Sequence, residues 1–305
     1  MSIYKKPPSP LENWTDVDFG IGCSLLIKRD DLIPFPLAGN KVRKLAFELA
    51  DVDLTKNTVL TVGAITSNHC RTAAMFAARG GGRAHLILHG DSSAVSAKLT
   101  LEMLGRLGAT WDLVPPAEIP HSIELAKKDL PGCVHFVAGG CHTPSGVEAY
   151  AQAVKELATQ LDAPPDCIYL ASGTGATQAG IIAGCHDLGW TSTRVRGISV
   201  ARDRLRGARA VREALTWRNL SHLQIDFSDE YRAGGYGKTD PRTENARDIG
   251  WRAGLPLDGT YTAKAFAALL EESRARGSQE SVLFWHTGGL NTQLSMDVDA
   301  QLTTN

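Results

Sequence analysis

The clearest indication of the fold lies in residues 167–180, which read CIYLASGTGATQAG. The stretch opens with five apolar residues, as expected of a strand buried on both faces of a parallel sheet. A glycine-rich turn follows, and the residues from Ala176 onward have the composition of a helix. A strand that leads through such a turn into a helix is the repeating unit of α/β folds.

The same alternation of strand and helix recurs along the rest of the chain. Its apolar runs predict strands at 58–62, 84–88, 134–137, 167–171, 195–200 and 281–285. Helices are predicted at 41–50, 68–78, 95–107, 145–161, 176–188, 243–252 and 263–276. Ser145, followed by Glu148, indicates a capping box. The fold class predicted is therefore doubly wound α/β, with parallel-rich twisted sheets flanked by helices.

Composition excludes several classes of protein. The 305 residues suit two domains, and 32 Lys+Arg against 33 Asp+Glu leave a net charge of −1, which argues against nucleic-acid or membrane partners. No apolar run approaches the roughly 18 residues of a membrane span, so a cytoplasmic protein is expected. The six cysteines contain no CxxC pair, so we expect no metal site and no disulfides, only reduced, buried thiols.

Three junctions between predicted elements carry polar groups suited to binding a ligand. Residues 172–180 resemble a phosphate cradle, because backbone amides converge at a helix N-terminus; the alternatives are a plain glycine turn, or an NADP site that uses Arg202. Lys41 and Lys44 lie on one helical face, where proximity and burial would depress their pKa values; the alternative is a solvated basic turn. Ser67 and Asn68 form a polar site or a simple helix cap.

A lysine able to form a Schiff base, together with a phosphate cradle, describes a site for pyridoxal phosphate (PLP). The sequence also resembles the D-cysteine desulfhydrase and 1-aminocyclopropane-1-carboxylate deaminase family of fold type II PLP enzymes. The resemblance rests on seven motifs in order: KRDD (28–31), LAGNKVRKL (37–45), GAITSNH with Arg71, SGTGATQAG, GGYG, TYTAKA (260–265) and VLFWHTGG (282–289).

The resemblance implies a role for each candidate residue. Lys41 would be the Schiff-base lysine and the base for the α-proton, and Ser67 would assist in proton transfer. The substrate carboxylate would meet Ser67, Asn68 and His69, while Tyr236 and Tyr261 would line the substrate side as further catalytic candidates. The cofactor would be held by Lys41, Lys44, Asn68, Gly173, Thr174, Gly175, Ala176, Thr177 and Thr287.

The resemblance also indicates the chemistry. The deaminase branch carries Glu where Thr262 stands, and that acid meets the pyridine nitrogen. Thr262 and Thr287 therefore favour α,β-elimination from a small amino acid, giving a 2-oxo acid and ammonia. Cyclopropane ring opening, β-replacement and a PLP-binding protein without turnover are the alternatives. Residues 89–95, residues 290–305 and Thr66, where Gln is usual, depart from the family near the substrate side.

Domain organisation and assembly follow from the same reasoning. Residues 1–54 and 147–305 are predicted to form the larger, cofactor-binding domain, and residues 55–146 the smaller domain. Family members are commonly homodimers, so a homodimer is expected.

Overall fold

Two parallel-rich sheets organise the chain, for which a computed structural model describes residues 8–274, 279–291 and 293–294. The strands are β1 Leu11–Asn13, β2 Ser24–Arg29, β3 Asn57–Ala64, β4 Arg83–His89, β5 Thr110–Leu113, β6 Cys133–Val137, β7 Cys167–Ser172, β8 Arg194–Ser199, β9 Asp226–Ser228 and β10 Ser281–His286. The helices are α1 Asn40–Glu48, α2 Asn68–Arg79, α3 Val95–Arg106, α4 Ile119–Asp129, α5 Pro144–Ala158, α6 Ala176–Asp187, α7 Arg204–Thr216, α8 Pro241–Arg252 and α9 Thr262–Ser273.

The strand order separates the two sheets. One has the order β1-β2-β10-β7-β8-β9 and the other β5-β4-β3-β6. Among the described strands only β1 pairs antiparallel, with β2, so the predicted α/β class with parallel-rich sheets is confirmed. All four strands of the second sheet fall within 55–146, but α1 residues such as Val42 and Leu45 pack in that sheet's core with Val59 and Phe76. The predicted domain boundaries therefore remain a hypothesis, for limited proteolysis to test.

The six predicted strands and seven predicted helices are all present, with ends shifted by a few residues. The sequence did not predict β2, the short strands β1, β5 and β9, or the helices α4 and the arginine-rich α7. The last two residues predicted for the 263–276 helix lie outside the described residues, as does most of 290–305.

Two sequence expectations are wrong. The capping box at Ser145 does not form, because Pro144 already occupies the first turn of α5 and the Thr143 side chain accepts from Gly146 N as the N-cap. All six cysteines are free, but Cys133 is exposed, since β6 is an edge strand of the second sheet.

A buried carboxylate fixes the position of α1 relative to the first sheet. Asp30, which follows β2, is fully buried. It accepts hydrogen bonds from Arg43 Nε at 2.9 Å, Tyr150 OH at 2.6 Å, Trp285 Nε1 at 2.9 Å and Ser9 Oγ at 2.8 Å. Burial opposes its ionisation, but Arg43 and the other donors hold its pKa below the ordinary value. Because Arg43 belongs to α1, this network anchors the helix that carries Lys41.

Candidate functional site

A cavity of about 400 Å³ lies where strands of both sheets end. Its walls come from residues at or just after the ends of β3, β4, β6, β7 and β8, from the N-terminal parts of α1 and α2, and from two tyrosines. Ligands of α/β proteins bind at this carboxyl edge of the strands. The described lining includes Lys41, Lys44 and Arg202 but no carboxylate side chain, so the cavity suits an anionic ligand.

Lys41 lies in the first turn of α1, at the cavity wall. The turn depends on Gly39, whose φ is +87° and where a Cβ would come within 2.7 Å of Thr287 O. Burial lowers the pKa of Lys41 to about 8, with Cys141 opposing the shift. A substantial fraction of an amine with this pKa is neutral near pH 8, as nucleophilic attack on a carbonyl requires.

Lys44 is 1% exposed, so the solvated-turn alternative is wrong for this residue. Its Nζ donates to Gly140 O at 3.2 Å. Burial, and after it the charge of Lys41, lowers the pKa of Lys44 well below its ordinary value. A dianion in the cavity would favour the protonated form again, because an opposite charge raises the pKa of an amine.

The glycine-rich segment after β7 forms one end of the cavity. Gly175 is the N-cap of α6 with a φ of +97°, and a Cβ there would lie 3.0 Å from Val211 N. Gly173, Thr174 and Thr177 line the cavity, whereas Ala176, the first residue of α6, is buried. The loop is tied to its surroundings by Asn40 Nδ2, which donates to Thr177 Oγ1 at 3.4 Å, and by Arg202 Nη1, which donates to Thr174 O at 3.4 Å.

On the α2 side of the cavity, Ser67 fits both predictions for its segment, a polar binding site and a helix cap. It lines the cavity, and its hydroxyl caps α2 by accepting from Cys70 N at 3.4 Å, so the helix-cap interpretation is also correct. Asn68 is not part of the described cavity lining. Its Oδ1 accepts from Arg71 Nη2 at 2.8 Å, which leaves the amide Nδ2 as the end able to donate to a ligand.

His69 is almost completely buried and also lines the cavity. Thr61 Oγ1 donates its single proton to Val137 O at 2.6 Å, so the 2.7 Å contact with His69 Nε2 requires the imidazole to donate. Nδ1 is then an acceptor, with no partner in the described chain. Burial, followed by Lys41 and Lys44, lowers the pKa of His69 well below its ordinary value. The predicted contact with a carboxylate would require a proton on Nδ1, which these surroundings disfavour.

Tyr236 and Tyr261 meet at the cavity wall. Tyr261 OH donates to Tyr236 OH at 3.0 Å, and the rings pack edge to face. Burial raises the pKa of both phenols. Because the Tyr261 proton is used in this contact, the Tyr236 proton is the one that remains for a ligand.

The two threonines considered for the pyridine nitrogen lie in different environments. Thr287 follows β10, is nearly buried, and accepts from Asn40 N through its carbonyl at 3.0 Å; it is not part of the described cavity lining. The Thr262 hydroxyl donates to Asp258 Oδ1 at 2.8 Å and accepts from Asp258 N at 2.8 Å. Its hydrogen-bonding capacity is therefore largely used within its own turn.

The structure adds residues that the sequence did not assign to this site. Gly139 and Gly140 line the cavity beside Lys44, and Arg202, considered only for NADP, lies beside the glycine-rich loop. The glycine pair closely follows β6, a signal that strand-end reasoning could have used. Arg202 could not be ranked from the sequence, because its approach to Thr174 depends on how two separate loops pack.

Comparison with known proteins identifies the family. A family model described as "Pyridoxal-phosphate dependent enzyme" matches residues 5–288. The chain belongs to this family of PLP-dependent enzymes. It is 32% identical over 308 residues to the D-cysteine desulfhydrase of Klebsiella pneumoniae, covering 92% of each protein. It is 31% identical over 310 residues to the bifunctional D-cysteine desulfhydrase/1-aminocyclopropane-1-carboxylate deaminase of Arabidopsis thaliana, covering 93% of this chain and 76% of the plant protein.

A solved structure gives the same result at the level of the fold. The crystal structure of an ACC deaminase homologue superposes with a TM-score of 0.83 at 29% identity, covering 99% of this chain and 95% of that one. The fold is therefore fold type II. No helix within the described residues is long and apolar enough to cross a membrane.

The residues of the cavity fit the family's cofactor. PLP needs an amine for its carbonyl carbon and donors for its phosphate. Lys41 offers the amine, with a pKa of about 8. The phosphate donors lie within the same cavity: Lys44, Arg202, the threonine hydroxyls and the N-terminus of α6.

Proposed function

We propose that this enzyme catalyses PLP-dependent α,β-elimination from a small amino acid with a β leaving group, releasing a 2-oxo acid and ammonia. The observation that carries the proposal is the cavity that Lys41 shares with the glycine-rich loop and the tyrosine pair. The bound cofactor would supply the electron sink that stabilises negative charge at the substrate α-carbon.

The phosphate end of the site would be formed by Lys44, Thr174, Thr177 and the amides at the start of α6. A helix N-terminus and a lysine both favour a dianion. Arg202 would add charge beside Thr174, to whose carbonyl oxygen its Nη1 donates at 3.4 Å.

The substrate end would use the first turn of α2 and the tyrosines. The Ser67 hydroxyl and the helix N-terminus would bind the carboxylate, because both can present protons to an anion. Lys41 would take the α-proton, for which an amine of pKa about 8 is well matched. Tyr236 OH, whose proton is not used by Tyr261, would donate to the departing β-substituent.

Elimination is preferred to ring opening because of the turn at Thr262. No acidic side chain occupies that position, and the threonine hydroxyl is bonded to Asp258. A protonated pyridine nitrogen would therefore lack the carboxylate partner that strengthens an electron sink. The Klebsiella relative, named as a D-cysteine desulfhydrase, supports the same choice of reaction, whereas the Arabidopsis relative is named for both reactions.

The proposal is tested by assaying the PLP-loaded enzyme for ammonia and 2-oxo acids. The panel comprises D- and L-amino acids with thiol, chloride, hydroxyl and sulfonate substituents on the β-carbon. Turnover should require a β leaving group and should be lost in Lys41→Ala. Release of 2-oxobutanoate from 1-aminocyclopropane-1-carboxylate would instead support ring opening, and absence of turnover across the panel would support a binding protein.

A further inference from the structure

The segment that carries Tyr236 has little regular structure of its own. Residues 232–237 lie outside any helix or strand, and φ is positive at Ala233 (+52°), Gly234 (+83°), Gly235 (+137°) and Gly237 (+67°). Such a backbone cannot continue a helix or a strand ladder, so its carbonyl groups need other donors. Tyr236 is 45% exposed, so packing alone holds it weakly.

Lys264 supplies hydrogen-bond donors to carbonyl groups of this segment. It lies in the first turn of α9 and is fully buried. Its Nζ donates to Gly235 O at 2.7 Å, to Arg232 O at 2.8 Å and to Val200 O at 3.0 Å. Two of these acceptors belong to the Tyr236 segment, and the third directly follows β8.

The arrangement uses every proton of the ammonium group. A lysine has three donors, and three carbonyl oxygens receive them. Burial lowers the pKa of Lys264 to about 8, while the charges of Asp258 and Asp240 oppose that shift, so the charged form prevails at neutral pH. Among the described residues no carboxylate lies within ion-pair distance of Nζ, so the carbonyl groups are its hydrogen-bond partners.

The same helix also places the other tyrosine. Asp258 is fully buried, and its carboxylate accepts from Thr260 N at 3.0 Å, Tyr261 N at 2.9 Å and Thr262 N at 3.0 Å. The start of α9 therefore holds Tyr261 through Asp258 and the Tyr236 segment through Lys264. The 3.0 Å contact between the two hydroxyl groups depends on both.

We propose that Lys264 is a positioning residue, whose ammonium group holds residues 232–237 against the end of β8 and thereby keeps the Tyr236 hydroxyl at the cavity. The inference deepens the proposed function, because it rests on Tyr236 acting on the substrate. Lys264 itself does not belong to the described cavity lining, so it would act only through that segment.

A double-mutant cycle tests whether Lys264 acts through Tyr236. In the PLP-loaded enzyme, Tyr236→Phe should lower kcat/KM about 100-fold, as loss of a proton donor does. Lys264→Met should lower it at least about tenfold, and the double variant should be no worse than Tyr236→Phe within about twofold, because coupled residues are not additive. If the effects of the two single substitutions on kcat/KM instead multiply in the double variant, the proposal is overturned.

Lys28 offers a matched control. It is also a fully buried lysine, and its Nζ donates to Ser9 O, Glu156 Oε1 and Gln160 Oε1. Lys28→Met should destabilise the protein, but its effect on kcat/KM should multiply with that of Tyr236→Phe. If Lys28→Met and Lys264→Met are equally non-additive with Tyr236→Phe, a specific role for Lys264 is contradicted.

Amide hydrogen exchange tests the anchor without turnover. Lys264→Met should speed exchange in residues 232–238 of the PLP-loaded protein at least about tenfold, and Lys28→Met should not. Unchanged exchange in Lys264→Met would overturn the anchoring role of Lys264, even if the enzyme is active. Faster exchange in a protein that has no lyase activity would refute only the proposed function. If Lys264→Met does not fold, Lys264→Gln, which keeps two donors, replaces it in both experiments.

Discussion

At the scale of single residues, burial decides the chemistry of the lysines. Lys41 and Lys44 are three positions apart, and the sequence alone predicts mutual repulsion. In the structure burial is the first cause of the lowered pKa of both, and the charge of Lys41 is a further cause only for Lys44. Reactivity at this site therefore comes mainly from the protein interior and not from a pair of adjacent charges.

Lys44→Met should weaken PLP binding about 10- to 100-fold, because hydrogen bonds to charged groups contribute about 1.5–3 kcal/mol. The titration of apoprotein followed by absorbance gives the dissociation constant. Pyridoxal, which lacks the phosphate, provides the control and should bind the variant and the original protein equally. A matching loss of pyridoxal affinity would mean that Lys44 does not act on the phosphate.

At the scale of elements, the turn before α6 depends on one glycine. Gly175→Ala should destabilise the protein by about 1–3 kcal/mol, because φ is +97° and the new Cβ would lie 3.0 Å from Val211 N. It should also weaken PLP binding, since the amides at the start of α6 would shift. Urea denaturation and absorbance titration measure the two effects.

Gly189→Ala is the matched control for this glycine. Its φ is +69°, and no described atom outside its immediate chain neighbours lies within 4 Å of the position that a Cβ would take. The control should lose stability through backbone strain but keep its PLP affinity. If both variants bind PLP as tightly as the original protein, the loop does not hold the phosphate.

A second prediction at the scale of elements concerns the Asp30 hydrogen-bond network that anchors α1. Asp30→Ala should cost about 3–5 kcal/mol of unfolding free energy, because it leaves the largely buried Arg43 without one of its carboxylate partners. Equilibrium urea denaturation measures the loss. Asp53→Ala, which removes an exposed partner of Lys56, should change stability little; a similar small change for Asp30 would refute the anchoring role.

At the scale of the whole molecule, buried lysines make stability depend on pH. Lys41 and Lys264 both have a pKa of about 8, against an ordinary 10.5. Between these values the unfolded chain binds more protons than the folded one, so the unfolding free energy should rise with pH, by at most about 1.4 kcal/mol per pH unit for each group.

The measurement compares urea denaturation of the apoprotein and of Lys41→Met from about pH 7 to 10. The difference in unfolding free energy between the two proteins should shift in favour of the original protein as pH rises above about 8. Buried thiols act in the opposite direction above about pH 9, since burial raises the pKa of Cys70 and Cys185 to about 12, but they are common to both proteins. A constant difference would contradict the lowered pKa of Lys41.

The expected homodimer is also a property of the whole molecule. It stays a prediction from family resemblance, and light scattering on the PLP-loaded protein tests it. The helices carry several exposed apolar side chains that a partner could cover, among them Leu205 at 84% exposure.

Much about this protein is determined by local sequence alone. Strand-forming runs that end in glycine or serine specify where the chain leaves the sheet, so the glycine-rich loop and Ser67 could be placed at strand–helix junctions, and Lys41 at the start of a helix. Such patterns are local, since each depends on neighbours a few residues away. The α/β class and the cofactor were therefore predictable, as were six of the ten described strands.

Only the tertiary structure decided how groups distant in sequence pair. The tautomer of His69 depends on Thr61 and on Val137, which lies 76 residues beyond Thr61. The Thr262 hydroxyl is hydrogen-bonded to the buried carboxylate of Asp258. Lys264 and Arg202 gain their roles from loops 28 to 64 residues away. Pairing over such separations depends on packing and burial, which set both hydrogen-bond partners and pKa values, and no local pattern encodes them.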